Sequence, residues 1–360
     1  MTGVRGVVIT DVGGSGGPGP WLRWLPFLAM GVVALSDILA GPDVRFRPLL
    51  ALGPAFAALW CGMRRTALVG MAALVLDVLL SSYSHALGRR QNTLMLAMVA
   101  GITVASVFAS SGRQRRERLL AEVRSVAEVA QQVLLRPVPR RVGPVHVAVS
   151  YTSATAEARI GGDLYEVAST RAGVRVIVGD VQGKGLEAVE TAAAVLGAFR
   201  EAAYDELELT GVVARIEASL RRRLSGEKFV TAVLAEFDEG DTATLVNCGH
   251  PSPLILRQGG VGEFAEPEDV APPLGLTGLA DTRPQPYTIG FAPGDRMLFY
   301  TDGVIEARDS EGRFYPLADR SGLLKAADPE KALEEMRSDV LRHVGGRITD
   351  DAAMLLVRRR

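Results

Sequence analysis

The sequence predicts two parts of different class: an all-α apolar segment, then an α+β layered domain with largely antiparallel sheets. Three observations carry this. Of the 360 residues 48% are hydrophobic, and the mean hydropathy of +0.18 is high for a wholly soluble chain. The excess is concentrated in residues 21–111, and charged residues return at ordinary density from about residue 113. Beyond residue 142, short β-branched or apolar runs bounded by Gly, Pro, Asp or Asn follow one another across hairpin-length links, with helical stretches between them.

The first twenty residues, with "GGSGGPGP", read as a flexible tail. Four apolar runs follow, at about 22–40, 48–63, 66–82 and 93–111. Each approaches the ~20 residues that a bilayer-crossing helix needs, which predicts a four-helix transmembrane domain over 21–111. A lone apolar run could be a signal peptide; four, with no small-residue cleavage site after the first, point to a membrane domain. Arg5, Arg23, Arg64, Arg65 and the cluster "RQRRER" fall on one side of these spans, and Arg45, Arg47, Arg89 and Arg90 on the other. The cluster after the last run tips the balance toward both termini inside, with the C-terminal domain cytoplasmic and the protein multi-pass in the cell membrane. Asp37 and Asp77 lie within or near spans. An acid at that depth is a functional candidate, although each could instead sit near a helix end or pair with an arginine.

Residues 113–135 continue as a charged helix with one apolar stripe, Leu119, Val123, Val126, Val129 or Ala130, and Val133. The stripe could pack on the next domain or pair with its copy in a homodimer. "RPVPRRVGP" ends the helix, since proline cannot continue it, so the linker is placed at 112–141 and the last domain at 142–360. In that domain "VHVAVSY", "VRVIVGD", "KFVTAVLAEFD", "TATLVNCGH", "PLILRQ", "RMLFYTD" and "AAMLLV" read as strands. "LEAVETAAAVLGAFREAAYD", "GVVARIEASLRRRL" and a stretch around 329–343 read as helices. The link "DEGD" predicts a hairpin between two of the strands. A net charge of −1 gives no sign of a nucleic-acid partner, and Cys61 and Cys248 form neither a disulfide framework nor a zinc pattern.

Acidic positions recur at the strand ends. Asp163 lies in "RIGGDLYEV", Asp180 in "VIVGDVQGKG", Asp302 in "LFYTDGV", and Asp350 with Asp351 in "RITDDAAMLLV". Glycine close to Asp180 and Asp302 lets the backbone turn and bring a carboxylate or a main-chain carbonyl to a shared point. Carboxylates gathered there repel one another unless a divalent cation neutralises them, and an all-oxygen set suits Mg²⁺ or Mn²⁺. Taken singly each motif has a plainer meaning. Asp302-Gly303 is also an ordinary turn, Asp350 and Asp351 a capped turn, and "GGD" the opening of the cyclic-dinucleotide synthase signature, here followed by "LYEV" rather than the acid-phenylalanine pair.

The conjunction in order is more specific. Residues 131–357 resemble the metal-dependent serine/threonine phosphatases of the PPM superfamily, in the SpoIIE-type branch that regulates sigma factors. "QQVLLRP", "GGDLYEV", "VGDVQGKG", "FVTAVLAEFD", "LVNCGHPSPLIL", "PPLGL", "FAPGDRMLFYTDGVIEARDSEGRFY" and "TDDAAMLLV" follow in the family's order. The resemblance implies a layered α-β-β-α sandwich with two mainly antiparallel sheets, and a site for two divalent cations, Mn²⁺ or Mg²⁺. Asp180 would bridge them, Val181 would lend its backbone carbonyl, Asp163 would serve one ion, and Asp302 and Asp350 the other. Activation of a bridging water by that pair would make a protein nucleophile unnecessary. Asp351 falls where relatives often carry Asn or Asp, and Gly303 would aim Asp302.

Glu166, Lys184 and the residue after the Asp350–Asp351 pair, where "DDAAML" lacks the usual Thr, depart from the family's pattern, and His250 is a further candidate. Glu166 stands where the first motif usually ends in Asp, so its part in the metal site is open. Lys184 replaces the commoner histidine of Gly-His-Gly and could attract phosphate or simply be solvated. His250, in "NCGHPSP", could act as a general acid or fasten a hairpin turn. By the same resemblance the substrate would be a phosphoserine or phosphothreonine on an anti-anti-sigma-type protein, with the membrane half as a sensor. A catalytically weak scaffold that keeps the fold for partner binding is the alternative, and a lost metal carboxylate would favour it; all four principal ones are present.

Overall fold

The computed structural model describes residues 24–40, 46–83, 90–153, 161–223, 228–258, 260, 262–279, 283–346 and 348–360. The expected tail over 1–20, and Arg5, Arg23, Arg45 and Arg89, lie outside these, as do the side chains of the linker stripe from Val123 to Val133. The chain divides into two compact units, one of Gly14–Val123 and one containing Arg124–Arg360.

In the first unit, helix α1 (Leu25–Ala40) is followed by a 3₁₀ turn (Arg47–Ala51), α2 (Leu52–Trp60), α3 (Met63–Tyr83) and α4 (Arg90–Leu134). The four apolar runs become helical where they are described, but among the described residues only two stretches are long and apolar enough to cross a membrane, Met63–Tyr83 and Asn92–Glu122. At 16 residues α1 is shorter, and the second run is broken where Pro48 opens a 3₁₀ turn ahead of a nine-residue helix. The expectation of four spanning helices is therefore not met among the described residues. The helix expected over 113–135 forms as far as Leu134, as the continuation of the last apolar run. α4 runs unbroken for 45 residues through the charged cluster to Leu134, because neither glycine nor proline interrupts 113–135. Arg47, expected at a flank, is buried against Asp37 instead.

The second unit is an α+β sandwich. Its strands are β1 (Arg141–Val142), β2 (Val145–Thr152), β3 (Leu164–Ser169), β4 (Val174–Val181), β5 (Val230–Phe237), β6 (Thr242–Cys248), β7 (Leu254–Leu256), β8 (Gly262–Phe264), β9 (Pro286–Gly290), β10 (Arg296–Tyr300) and β11 (Ala352–Arg359). They form two sheets, in the orders β1-β2-β11-β10-β7-β8 and β3-β4-β5-β6-β9, with every pairing antiparallel. All seven expected strands are present, and "DEGD" is a hairpin pairing Phe237 with Ala243. Helices α5 (Leu186–Asp205) and α6 (Leu209–Arg221) pack on the five-stranded sheet, and α8 (Pro329–His343) on the six-stranded one. The main core takes the apolar faces between the sheets and under α5 and α6, including Val176, Val178, Leu234, Phe237, Met297, Phe299 and Leu355. A second core lies under α8, around Leu298, Leu333, Met336 and Leu356.

One buried charge fixes the first layer. Arg175 of β4 has no exposed surface; its Nε donates to Glu236 Oε2 at 2.6 Å, and its Nη atoms donate to the carbonyls of Ala203, Glu206 and Leu207. It thereby satisfies acceptors at the C-terminal end of α5 that the helix cannot satisfy itself.

Candidate active site

Antiparallel pairing brings the acids together. Asp163 immediately precedes β3, and Asp180 is the next-to-last residue of β4, with Leu164 opposite Gly179. In the other sheet Asp302 follows β10, and Asp350 and Asp351 precede β11, with Tyr300 opposite Met354. One end of an antiparallel pair in each sheet thus supplies the carboxylates. Asp302 does not sit in a simple turn: it begins the short helix α7 (Asp302–Ile305), with Thr301 at its N-cap.

Cross-links hold the two ends in place. The Thr301 hydroxyl has no exposed surface; it donates to Asp163 Oδ2 at 2.9 Å and accepts from Ala353 N–H at 2.9 Å. Asp351 is buried and accepts from Tyr151 O–H at 2.7 Å, Gly161 N–H at 2.9 Å and Ser153 O–H at 3.2 Å, so its carboxylate belongs to the cradle behind the other acids. Gly162 lies against Val181, whose N–H donates to Gly162 O; a Cβ at Gly162 would overlap the Val181 carbonyl. A Cβ at Gly303 would overlap the Asp351 carbonyl. Gly303 is required for this close approach, not for the backbone bend that its place after Asp302 suggested, because its φ is not positive.

The electrostatics are those of carboxylates short of countercharge. Burial, together with Asp180 and Asp351, pushes the Asp163 carboxyl well above the ordinary range. Burial, Asp302 and Asp350 raise Asp180 to about 7, and burial with Glu306 and Asp350 raises Asp302. Among the described residues the cation beside them is Lys184, whose Nζ stands 2.7 Å from Asp350 Oδ1. Burial opposes the charge on this lysine, but the bond to Asp350 outweighs it and the pKa is raised. Gly183 and Gly185, both at positive φ, flank Lys184 and give the loop its shape.

Among the described residues no three acidic, histidine or cysteine side chains are already gathered around one point at coordination spacing. Asp163, Asp180, Asp302 and Asp350 nevertheless lie within electrostatic range of one another. Their all-oxygen donor set and unmet negative charge fit divalent Mg²⁺ or Mn²⁺.

Two expected site residues are engaged elsewhere. Glu166 Oε2 is bound by Arg200 of α5 at 2.6 Å, and Arg200 also donates to Leu134 O at 2.8 Å, so this carboxylate faces the helix layer. The longer side chain in place of aspartate reaches that arginine. His250 is buried with both ring nitrogens bonded: Nε2 lies 3.1 Å from Tyr300 O and Nδ1 3.0 Å from Thr231 Oγ1. A carbonyl only accepts, so Nε2 carries the hydrogen and Nδ1 accepts from Thr231. Burial lowers its pKa to about 4. The ring is therefore neutral and enclosed, and it fastens the turn, where Asn247 also bonds the His250 backbone on both sides. Thr301 and Tyr151 were missed from sequence. The one hint was the threonine before Asp302 in "YTDG".

Two antiparallel sheets flanked by helices, with acids at one end of a strand pair in each, define a PPM-type phosphatase domain of the PP2C kind. The comparisons agree. The family model for Stage II sporulation protein E (SpoIIE) matches residues 170–360, more than half the chain, and the protein belongs to that family. It is 26% identical over 216 residues to the phosphoserine phosphatase RsbP of Bacillus subtilis (strain 168), a match covering 58% of this chain and 51% of RsbP. The chain thus spans about half the length of that curated relative. The crystal structure of the RsbU and RsbW domains of Rv1364c from Mycobacterium tuberculosis superposes with a TM-score of 0.51 at 25% identity, covering 61% of each chain. The SiaA-PP2C domain of Pseudomonas aeruginosa superposes with a TM-score of 0.55 at 16% identity, covering 68% of this chain and 98% of that one, and shares the fold.

Proposed function

We propose that the protein is a membrane-anchored, metal-dependent phosphatase that hydrolyses phosphoserine or phosphothreonine on a small regulatory protein of the anti-anti-sigma type. The observation that carries the catalytic part is the meeting of Asp163, Asp180, Asp302 and Asp350 at the ends of β3, β4, β10 and β11. Asp180, the Val181 carbonyl and Asp163 on one sheet, and Asp302 with Asp350 on the other, are the residues that would hold two Mn²⁺ or Mg²⁺ ions. When bound, such ions supply a water acidified toward hydroxide and positive charge for the phosphoryl oxygens.

The chain's own groups do the rest. The Thr301 hydroxyl points one Asp163 oxygen, and the bonds from Tyr151 and Gly161 hold the Asp351 side chain in place behind the site. Lys184 is partly exposed at the rim. Once released from Asp350, its ammonium offers a point charge to the incoming phosphate. His250 donates no proton to the substrate.

The RsbP relative is a phosphoserine phosphatase, which supports the substrate class. The two helices of crossing length support the membrane anchor. A sensing role for the helical unit, with a homodimer through α4 as the candidate assembly, completes this reading. The test uses the full-length protein in detergent with Mn²⁺, offered one peptide sequence carrying either phosphoserine or phosphotyrosine. Release of phosphate from the phosphoserine peptide, abolished by EDTA, is expected; preference for phosphotyrosine, or release indifferent to EDTA, would overturn the assignment.

A further inference from the structure

The helical unit holds a second group of buried polar side chains, all at one end of it. Asp37 lies in the last turn of α1, Arg47 opens the 3₁₀ turn, Ser81 lies in the last turn of α3, and Asn92 lies in the first turn of α4. All four are buried. Arg47 Nε bonds Asp37 Oδ2 at 2.9 Å, and Arg47 Nη1 bonds Ser81 Oγ at 3.0 Å and Asn92 Oδ1 at 3.1 Å. Asp37 Oδ1 accepts from Phe46 N–H at 3.0 Å. One guanidinium therefore ties α1, α3 and α4 to the turn between α1 and α2.

Asp77 stands one helical turn before Ser81, has no exposed surface, and has no hydrogen-bond partner on either carboxylate oxygen. Among the described residues the charged groups facing it are Arg47 from the 3₁₀ turn and Asp37 from α1. The charge of Arg47 is already matched by Asp37, so two carboxylates share one cation. An ionised carboxylate buried without a partner is strongly disfavoured, and a carboxyl at such depth is a functional group by default. A metal ion would need several oxygen ligands, and the oxygens of Ser81 and Asn92 are turned to Arg47.

We propose that Asp77 is a proton-binding site of the helical unit, distinct from the phosphatase site. In the packing described here Asp77 is the neutral acid. On release its O–H bond breaks, the proton passes to water, and the carboxylate left behind competes with Asp37 for Arg47. Because that guanidinium joins three helices, its re-pairing changes their packing. The far end of the unit has its own bonds, Arg113 Nη2 to Cys61 O and Met63 N–H to Gln114 Oε1. Those lie ~33 Å along α4 from Asn92, at 1.5 Å per residue.

All three tryptophans, Trp21, Trp24 and Trp60, precede Cys61, so intrinsic fluorescence reports this unit alone. The experiment is a pH titration of tryptophan emission and of the infrared carboxyl band of full-length protein in detergent. Wild type, Asp77→Asn and Asp37→Asn are compared. The wild type should show a pH-dependent emission change that is lost in Asp77→Asn, and a protonated-carboxyl band whose Asp77 share is missing from Asp77→Asn while the raised carboxyls of the phosphatase site still absorb, all at an unchanged thermal midpoint. In Asp37→Asn, which frees Arg47 to pair with Asp77, the band should weaken at the same pH. A titration identical in wild type and Asp77→Asn would overturn the proposal. So would a transition that follows Na⁺ or K⁺ concentration at fixed pH, which would mark a metal cation in the proton's place. If Asp77→Asn fails to fold, an unaltered infrared band in Asp37→Asn refutes the proposal by itself.

Discussion

Replacing Thr301 by valine keeps the shape of the side chain and removes one oxygen, so its cost can be worked from the bonds lost. The hydroxyl has no exposed surface and makes two hydrogen bonds at 2.9 Å, donating to Asp163 Oδ2 and accepting from Ala353 N–H. The first is a bond to a carboxyl held toward its neutral form in the metal-free protein, worth ~0.5–1.5 kcal/mol, and the second leaves a backbone donor unpaired at ~1–3 kcal/mol. Such terms overlap when they share an atom, so Thr301→Val should destabilise the metal-free protein by about 1–3 kcal/mol. Loss of a partner that orients a metal ligand typically weakens metal affinity ~10–100-fold. Urea denaturation in EDTA reads the first quantity and Mn²⁺ calorimetry the second. Thr301→Ser should restore most of both, since it returns the oxygen. A valine variant within ~0.5 kcal/mol of wild type that binds Mn²⁺ equally well would refute the claim that this hydroxyl joins the two strand pairs.

Gly303→Ala should cost ~1–3 kcal/mol and depress Mn²⁺-dependent turnover about 100-fold, because the added methyl overlaps the Asp351 carbonyl and pushes the β10 and β11 ends apart; thermal melts and initial rates check both. Arg175→Met should destabilise the domain by roughly 3–5 kcal/mol by stranding Glu236 and three carbonyls at the end of α5, as read by chemical denaturation. The raised carboxyls set a pH dependence. Asp180, held at about 7 against an ordinary value of 3.8, favours the metal-free fold when protonated. That contribution is complete below the unfolded value and is lost as pH rises through about 7. In EDTA the melting temperature should therefore fall between about pH 4 and 7, whereas apparent Mn²⁺ affinity should rise over the same window as the competing proton leaves; calorimetry at stepped pH tests the sign.

Much of this fold was legible in the sequence because its signals are local. The seven strands expected from β-branched runs and the three helices around 186–205, 209–221 and 329–343 all form. β3, β8 and β9 were harder to see. β3 carries "LYEVAS", where Tyr165 and Glu166 break the apolar run, and both are buried for reasons outside the strand, Glu166 by Arg200 of α5. The acids at the strand ends could be read because glycine and the order of the motifs mark them. The groups that hold those acids could not, since Thr301 and Tyr151 reach Asp163 and Asp351 across 138 and 200 residues of sequence. His250 and Lys184 illustrate the same limit. Their residue types suggested contact with substrate, yet partners 19, 50 and 166 residues away in the chain decide what each ring or ammonium meets. In the apolar half, hydropathy found the helical segments but not their breaks, because an apolarity average does not register the backbone restriction of Pro48, and the buried Arg47–Asp37 pair is a tertiary contact.

The central claim is that Asp180 and its partners at the strand ends form a metal-dependent phosphatase centre. Its most direct test is the rate of p-nitrophenyl phosphate hydrolysis by full-length protein at stepped Mn²⁺ concentrations, for wild type and Asp180→Asn of equal thermal stability. Saturable Mn²⁺-dependent hydrolysis by the wild type, reduced roughly 10²–10³-fold in the variant, is the predicted result. Equal rates in the two proteins, or hydrolysis by neither, would contradict it.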